Sequence, residues 1–227
     1  MIRATLVLVL RGVVSTDWAV VRSRINAEWR RLEQDPDFVP PVALQRLLVS
    51  GEDHRCLWHP GCDPAAICRA LWRRVARGSR EGASTIEQQV VRTITGRYER
   101  TLRRKLREVV LAVLVAAAFP KSVLPAVYLG IAYYGWRMNG YRQACMRLRL
   151  GPRTLSLDDA AALVARLKYP EPRVAPIARR CQIDRRRRHL IALYRRHSID
   201  GTYGQMYGPT VHASPITLDA THSIPRA

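Results

Sequence analysis

Thr101-Leu-Arg-Arg-Lys-Leu-Arg-Glu-Val-Val-Leu-Ala-Val-Leu-Val-Ala-Ala-Ala-Phe119-Pro120 carries a charged opening and an apolar body within one helical stretch. Arg104, Lys105 and Glu108 stand at i, i+1 and i+4, so Arg104 and Glu108 share a helix face and Lys105 lies within one turn of Glu108. From Val109 to Pro120 the residues are apolar. That run is well short of the ~20 residues needed to cross a bilayer, and reads as a buried helix. An exposed Arg104–Glu108 ion pair would contribute only ~0.3–0.5 kcal/mol. A charged patch opening a buried helix also suits the floor of a cleft.

Outward from this stretch, helical signals dominate and strand-like alternation is scarce. Ser15, Thr16 or Asp17 can cap a helix carrying Trp18, Val21, Ile25, Trp29 and Leu32 on one stripe, broken by the Asp35–Pro41 segment. A second helix carries Leu44, Leu47 and Leu48 toward Glu52. Asp63-Pro64 opens a third, with Asp63 as cap, which stops near Gly78. Ser84 begins a fourth that Gly96 ends, and Thr101–Phe119 is expected to be the longest. Further helices are expected over 122–134, 137–150, 156–167 and 180–197. After His197 the chain is rich in Gly, Thr and Pro and reads as a loose tail. The fold class is all-α. The expected organisation is an N-terminal helical segment over 1–44, one domain over 45–196 and a tail over 197–227.

The chain has 227 residues, 48% of them hydrophobic, enough for one well-buried domain. Its 38 Lys and Arg against 18 Asp and Glu give a net charge of +20, which attracts nucleic acid, anionic headgroups or pyrophosphates alike. Cys56, Cys62, Cys68, Cys145 and Cys181 form no CxxC pair, and their spacing with His54 and His59 is not a zinc pattern. Buried free thiols are expected, with Cys56–Cys62 or Cys62–Cys68 disulfides open in an oxidising compartment. The apolar run from Ala4 to Leu10 is too short to span a membrane and lacks a signal-peptide cleavage site.

Three segments carry chemistry: Gly51-Glu52-Asp53-His54-Arg55-Cys56-Leu57-Trp58-His59-Pro60-Gly61, Gly82-Ala83-Ser84-Thr85-Ile86-Glu87-Gln88-Gln89, and Arg104-Lys105-Leu106-Arg107-Glu108. Glu52 follows an apolar run and adjoins Asp53; partial burial and like charge raise a carboxyl toward neutrality, which suits a general base. A solvated acidic turn is the bland reading. Ser84, Thr85, Gln88 and Gln89 offer hydroxyls and amides at a helix start, where an anion is favoured. Arg92 and Arg100 extend the cationic surface. Two carboxylates, polar donors and cations in this order suit a sugar linked to a phosphate.

In order and spacing these segments resemble the signatures of the family 51 glycosyltransferases, the peptidoglycan polymerases of class A penicillin-binding proteins and of monofunctional transglycosylases. Lys121 to Gly130, Tyr133-Tyr134-Gly135, Leu155 to Val164, Tyr169-Pro170 and Arg187 to Ile191 resemble the family's later signatures, so the likeness runs unbroken over about 45–193. The resemblance implies a lysozyme-like helical head with a smaller, mobile jaw over about 63–100. It implies polymerisation of lipid II with inversion, with Glu52 as base toward the acceptor 4-hydroxyl and Glu108 near the donor pyrophosphate. Glu108 would there help a divalent cation, Mg²⁺ or Mn²⁺; no organic cofactor is implied. Asp53, His59, Ser84, Thr85, Gln88, Gln89, Arg92, Arg100, Arg104 and Lys105 would bind substrate.

Lipid II, the growing glycan, an anionic membrane surface and other cell-wall synthesis proteins are the implied partners, with no specific nucleic acid. The implied place is the outer, periplasmic face of a bacterial inner membrane, peripherally or weakly anchored. Ile67, Leu71, Trp72 and Val75 mixed with Arg69, Arg73, Arg74 and Arg77 would make the jaw helix a membrane-surface helix. No Ser-x-x-Lys or Lys-Thr-Gly is present, so the resemblance is to a monofunctional enzyme.

Three positions depart from the pattern: Cys56 replaces an aromatic, Glu87 a small or hydroxylated residue, and Gly130 an Asn. Glu87 is expected to set negative charge beside the phosphate site. These departures keep a catalytically weak lipid II-binding scaffold in view. The run Arg185 to Arg188 keeps a basic nucleic-acid-binding protein in view, and the paired acids keep a lysozyme-like hydrolase.

Overall fold

Trp18, Val21, Ile25 and Leu32 fall on one face of helix α1 (Ser15–Gln34), and that face is buried. The computed structural model describes residues 14–78 and 82–207. A short 3₁₀ turn at Pro36–Phe38 leads to α2 (Val42–Glu52), whose Leu44, Leu47 and Leu48 are fully enclosed. After a second 3₁₀ turn at Cys56–Trp58 come α3 (Pro64–Arg77), α4 (Ile86–Thr95) and α5 (Leu102–Ala118). Helix α6 (Leu124–Ile131) is apolar on nearly every side because it is central: seven of its residues, Leu124 to Gly130, are buried. A two-stranded antiparallel hairpin, β1 (Tyr133–Gly135) with β2 (Met138–Asn139), precedes α7 (Tyr141–Leu148). Then follow α8 (Leu157–Lys168), α9 (Ile177–Ile199) and the single turn α10 (Gly204–Tyr207). The protein is all-α apart from the hairpin.

Local chemistry explains the boundaries. Asp63 Oδ1 accepts the Ala66 amide at 3.0 Å and caps α3, while Thr101 and Ser156 cap α5 and α8 through their hydroxyls. Helix α1 differs from expectation: Val14 is its N-cap residue and no side chain caps it. Asp17 is drawn instead to Arg97 and Arg107, at 3.2 and 3.4 Å.

Four other expectations are corrected. Helix α9, with 23 residues, is longer than α5, with 17. The helix expected to run to Tyr134 stops at Ile131, because Tyr133 to Gly135 pair as a strand with β2 and Gly135 bridges Glu171. Val90 and Val91 of α4, inside the 63–100 stretch expected to form the jaw, lie in the main core, whereas α3 exposes Ile67, Trp72 and Val75. Nor does α1 form a separate segment, since Val21 and Ile25 belong to that same core.

The described part of the tail packs on the core. Tyr203 and Met206 are buried; the Tyr203 hydroxyl bonds Ser50 Oγ, and Cys56 Sγ lies 3.8 Å from Met206 Sδ. Residues 208–227 and the apolar run from Ala4 to Leu10 lie outside the described residues. All five cysteines are free; Cys56 and Cys145 are buried as expected, but Cys68 and Cys181 are exposed. Among the described residues no helix is long and apolar enough to cross a membrane.

Candidate active site

The phase of α2 decides where Glu52 goes. With Leu44, Leu47 and Leu48 turned inward, the last residue of the helix emerges at the wall of an open cleft of about 710 Å³. Both carboxylate oxygens of Glu52 are engaged. Gln89 Nε2 donates to Oε2 at 3.1 Å, and an Arg186 terminal nitrogen donates to Oε1 at 2.9 Å. The same Arg186 nitrogen donates to the Gly51 carbonyl at 2.7 Å.

Asp53, the neighbouring residue, points the other way. It is buried, and its Oδ2 accepts the Ile86 amide at 3.0 Å at the start of α4. Thr85 caps the same helix and donates its hydroxyl to the Gly61 carbonyl at 2.8 Å. The α4 N-terminus, expected to receive a substrate anion, is thus occupied by an internal carboxylate. His59 completes the brace. Its Nδ1 accepts the Gly61 amide at 3.2 Å, so Nε2 carries the proton donated to Asp53 Oδ1 at 3.0 Å. Gly61 sits at φ 94, and a Cβ there would run into the Ala112 backbone of α5. Asp53, His59 and Thr85 therefore lock Glu52's loop against α4 and α5 rather than facing the cleft.

Glu108 is caged by cations. Arg92 Nε donates to Oε2 at 2.9 Å, and an Arg92 terminal nitrogen donates to Oε1 at 2.8 Å. Lys105 Nζ donates to Oε1 at 2.8 Å, and Arg104 bonds Oε2. Burial alone would raise this carboxyl, but hydrogen bonds from Arg92 and Lys105 and their charges bring it down to about 2. Lys105 Nζ also reaches Gln88 Oε1 at 2.6 Å and Ser84 Oγ at 3.3 Å, and Arg92 reaches Ser84 Oγ at 3.1 Å. Gln88 is fully buried and holds Lys105 from beneath; Ser84 and Arg92 line the cleft. Arg100 is exposed beyond this cluster. A carboxylate has about four lone-pair sites, and donors fill all four on Glu108. Mg²⁺ or Mn²⁺ does not fit there: it would have to displace one donor and lie among three cations.

Glu87 is corrected. It turns away from the cationic cluster, is buried, and pairs with Lys121. Asp53, His59 and Glu87 bring ligand atoms within 4.8 Å of one another. Both ring nitrogens of His59 are already bonded and Lys121 pairs with Glu87 Oε1, so the trio braces the loop with its imidazole atoms taken, while the buried Glu87 Oε2 has no partner among the described residues.

Helix α4 joins the two carboxylates. Gln89 and Arg92, one turn apart, bond Glu52 and Glu108 respectively. The cleft runs on past Glu52 to Lys168, Arg186, His189 and His197. Sequence reasoning missed Arg186, which sits inside the run Arg185 to Arg188; the only signal was the phase of α9, which turns Ile183 and Leu190 inward. That run is not one solvated stripe either: Arg187 pairs with Asp184 at 2.7 Å and also with Asp158.

A braced carboxylate at the wall of a cleft, with Arg92 of a three-cation cluster lining the same cleft, can take a proton at one point and stabilise an anion at the other. The transglycosylase family model matches residues 19–194. Penicillin-binding protein 1A of Escherichia coli is 34% identical over 146 residues, 63% of this chain and 17% of that protein. The biosynthetic peptidoglycan transglycosylase of Thiobacillus denitrificans is 33% identical over 153 residues, 66% of this chain and 65% of that protein. Penicillin-binding protein 1A of Aquifex aeolicus is 37% identical over 133 residues, 57% of this chain and 18% of that protein. The match spans less than two thirds of the length of each of these relatives. With the family match covering residues 19–194, which hold most of the helical core and Glu52, Ser84, Arg92 and Arg186 of the cleft, the chain belongs to the transglycosylase family.

Proposed function

We propose that this protein is a peptidoglycan glycosyltransferase that joins lipid II units into β-1,4 glycan strands. The observation that carries the reading is the pairing of Glu52, at the wall of an open cleft, with the Arg92–Arg104–Lys105 cluster across α4. Glu52 takes the proton of the acceptor 4-hydroxyl as its oxygen attacks the donor's anomeric carbon. The bond from that carbon to the pyrophosphate breaks, and the lipid pyrophosphate leaves with the electron pair. Arg92, Arg104 and Lys105, with the Ser84 hydroxyl, stabilise the charge that develops there. Glu108 holds these cations in place; no divalent cation is needed for that role.

Exposed Trp72, Val75 and Ile67 on α3, with the net charge of +20, support attachment to an anionic membrane surface. The envelope relatives support the outer face of a bacterial inner membrane as the working place. The experiment is incubation of the purified chain with labelled lipid II and, separately, with purified cell wall. Glycan polymer from lipid II supports the reading. Muropeptides released from cell wall would favour the hydrolase, and bound but unconverted lipid II would favour a scaffold.

A further inference from the structure

Arg186 holds the proposed base. One of its terminal nitrogens lies 2.9 Å from Glu52 Oε1 and 2.7 Å from the Gly51 carbonyl, while Gln89 takes Oε2. In this state each oxygen of Glu52 already accepts one hydrogen bond, and the carboxylate that an acceptor hydroxyl would meet is shared with a guanidinium. Arg186 itself is incompletely bonded: its Nε is buried and has no partner. A guanidinium in low-dielectric surroundings with an orphaned N–H favours any arrangement that supplies an additional acceptor. The surroundings invite an anion. Lys168, His189 and Arg196 line the same cleft beside Arg186. They lie on α8 and α9, away from the cluster around Glu108.

We infer that Arg186 gates Glu52: an anionic group of the incoming acceptor, bound between Lys168, Arg186 and His189, draws the guanidinium off the carboxylate and frees the base only when an acceptor is present. This deepens the proposed function and rests on it. A lipid-pyrophosphate acceptor brings a group of the right charge with several acceptor oxygens, enough for Nε as well as the terminal nitrogens of Arg186. The gate also has a chemical consequence. A base left free beside a bound donor would activate water in place of the sugar hydroxyl. The water oxygen would then bond to the anomeric carbon, the carbon–pyrophosphate bond would break, the lipid pyrophosphate would leave, and the water proton would pass to Glu52. The donor would be lost without chain growth.

The test measures water-dependent breakdown of labelled lipid II, at concentrations too low for rapid polymerisation, by wild type, Arg186→Met and Arg186→Lys. A hydrogen bond to a charged group corresponds to a factor of about ten or more. Arg186→Met should therefore hydrolyse lipid II about tenfold faster than wild type, with Arg186→Lys between the two. Slower polymerisation with no rise in absolute hydrolysis, in both variants, would overturn the gate and leave Arg186 a binding or structural residue. A second arm does not depend on turnover. In the full chain labelled with ¹⁵N-arginine, the Arg186 Nε–H signal, assigned by its loss in Arg186→Lys, should shift on addition of inorganic pyrophosphate. A signal that stays put would overturn the gate. A wild type that binds lipid II but makes no polymer would overturn the proposed function instead, and the pyrophosphate titration would still decide the gate.

Discussion

Arg92 grips Glu108 with two hydrogen bonds, Nε to Oε2 at 2.9 Å and a terminal nitrogen to Oε1 at 2.8 Å, and this bidentate pair ties α4 to α5 beneath the cleft. The pair has a pH signature. The Glu108 carboxyl moves from 4.5 down to about 2; burial opposes the shift, and the hydrogen bonds from Arg92 and Lys105 outweigh it. A folded value below the unfolded one means that the stabilisation is fully present above pH 4.5 and is lost as the pH falls toward 2. Glu108→Gln, which leaves three cations without their counter-charge, should be less stable than wild type by about 2 kcal/mol at pH 7. Its melting temperature should also fall less steeply than that of wild type through the acid window. Parallel melting curves at every pH would contradict the cage.

Lys121 pairs with a buried acid, Glu87. Removing one member of such a pair strands a charge, whereas removing both does not. Lys121→Met should cost about 3 kcal/mol in urea unfolding, and Glu87→Leu combined with it should recover most of that loss. Additive losses in the double variant would show that the two side chains do not act as a pair.

At Gly130, where the family resemblance implies Asn, a side chain would meet a neighbour. A Cβ on Gly130 would overlap the Glu28 carboxylate, which Arg31 holds in place at 2.6 Å. Gly130→Asn is expected to cost about 2 kcal/mol. Glu28→Ala in the same chain should relieve most of that cost, as differential scanning calorimetry would register.

Truncation after Asp200 removes Tyr203 and Met206, which cover Ser50 and Cys56. Burial, reinforced by the Asp53 charge, pushes the Cys56 thiol up to about 12, so it should resist alkylation in the intact chain. Exposed Cys68 and Cys181 should react at once. In the truncated chain, mass spectrometry should find Cys56 labelled many times faster. An unchanged Cys56 rate would mean that the tail does not shield it.

What the sequence disclosed and what it hid divide along physical lines. Helices with apolar stripes were legible because periodicity and capping are local: Thr101, Ser156 and Asp63 cap where their spacing indicates. The Arg104–Lys105–Glu108 cluster was legible for the same reason. Arg186 was not, because Glu52 lies 134 residues away and nothing local distinguishes one arginine of four. Asp53 and Glu87 were misread for a related reason. A charged residue beside a cleft motif can face the cleft or the core, and only the packing of Ile86, Lys121 and His59 around them decides it. The packed part of the tail was hidden too, since two anchoring side chains, Tyr203 and Met206, make no periodic pattern.

The central claim is that Glu52 is the base of a glycan polymerase. Its most direct test is glycan synthesis from labelled lipid II by wild type and Glu52→Gln side by side, with circular dichroism to verify that both are folded. The account predicts polymer from wild type and a fall of about a thousandfold or more in the variant, at the scale of removing a general base. A folded Glu52→Gln that polymerises at the wild-type rate would contradict it.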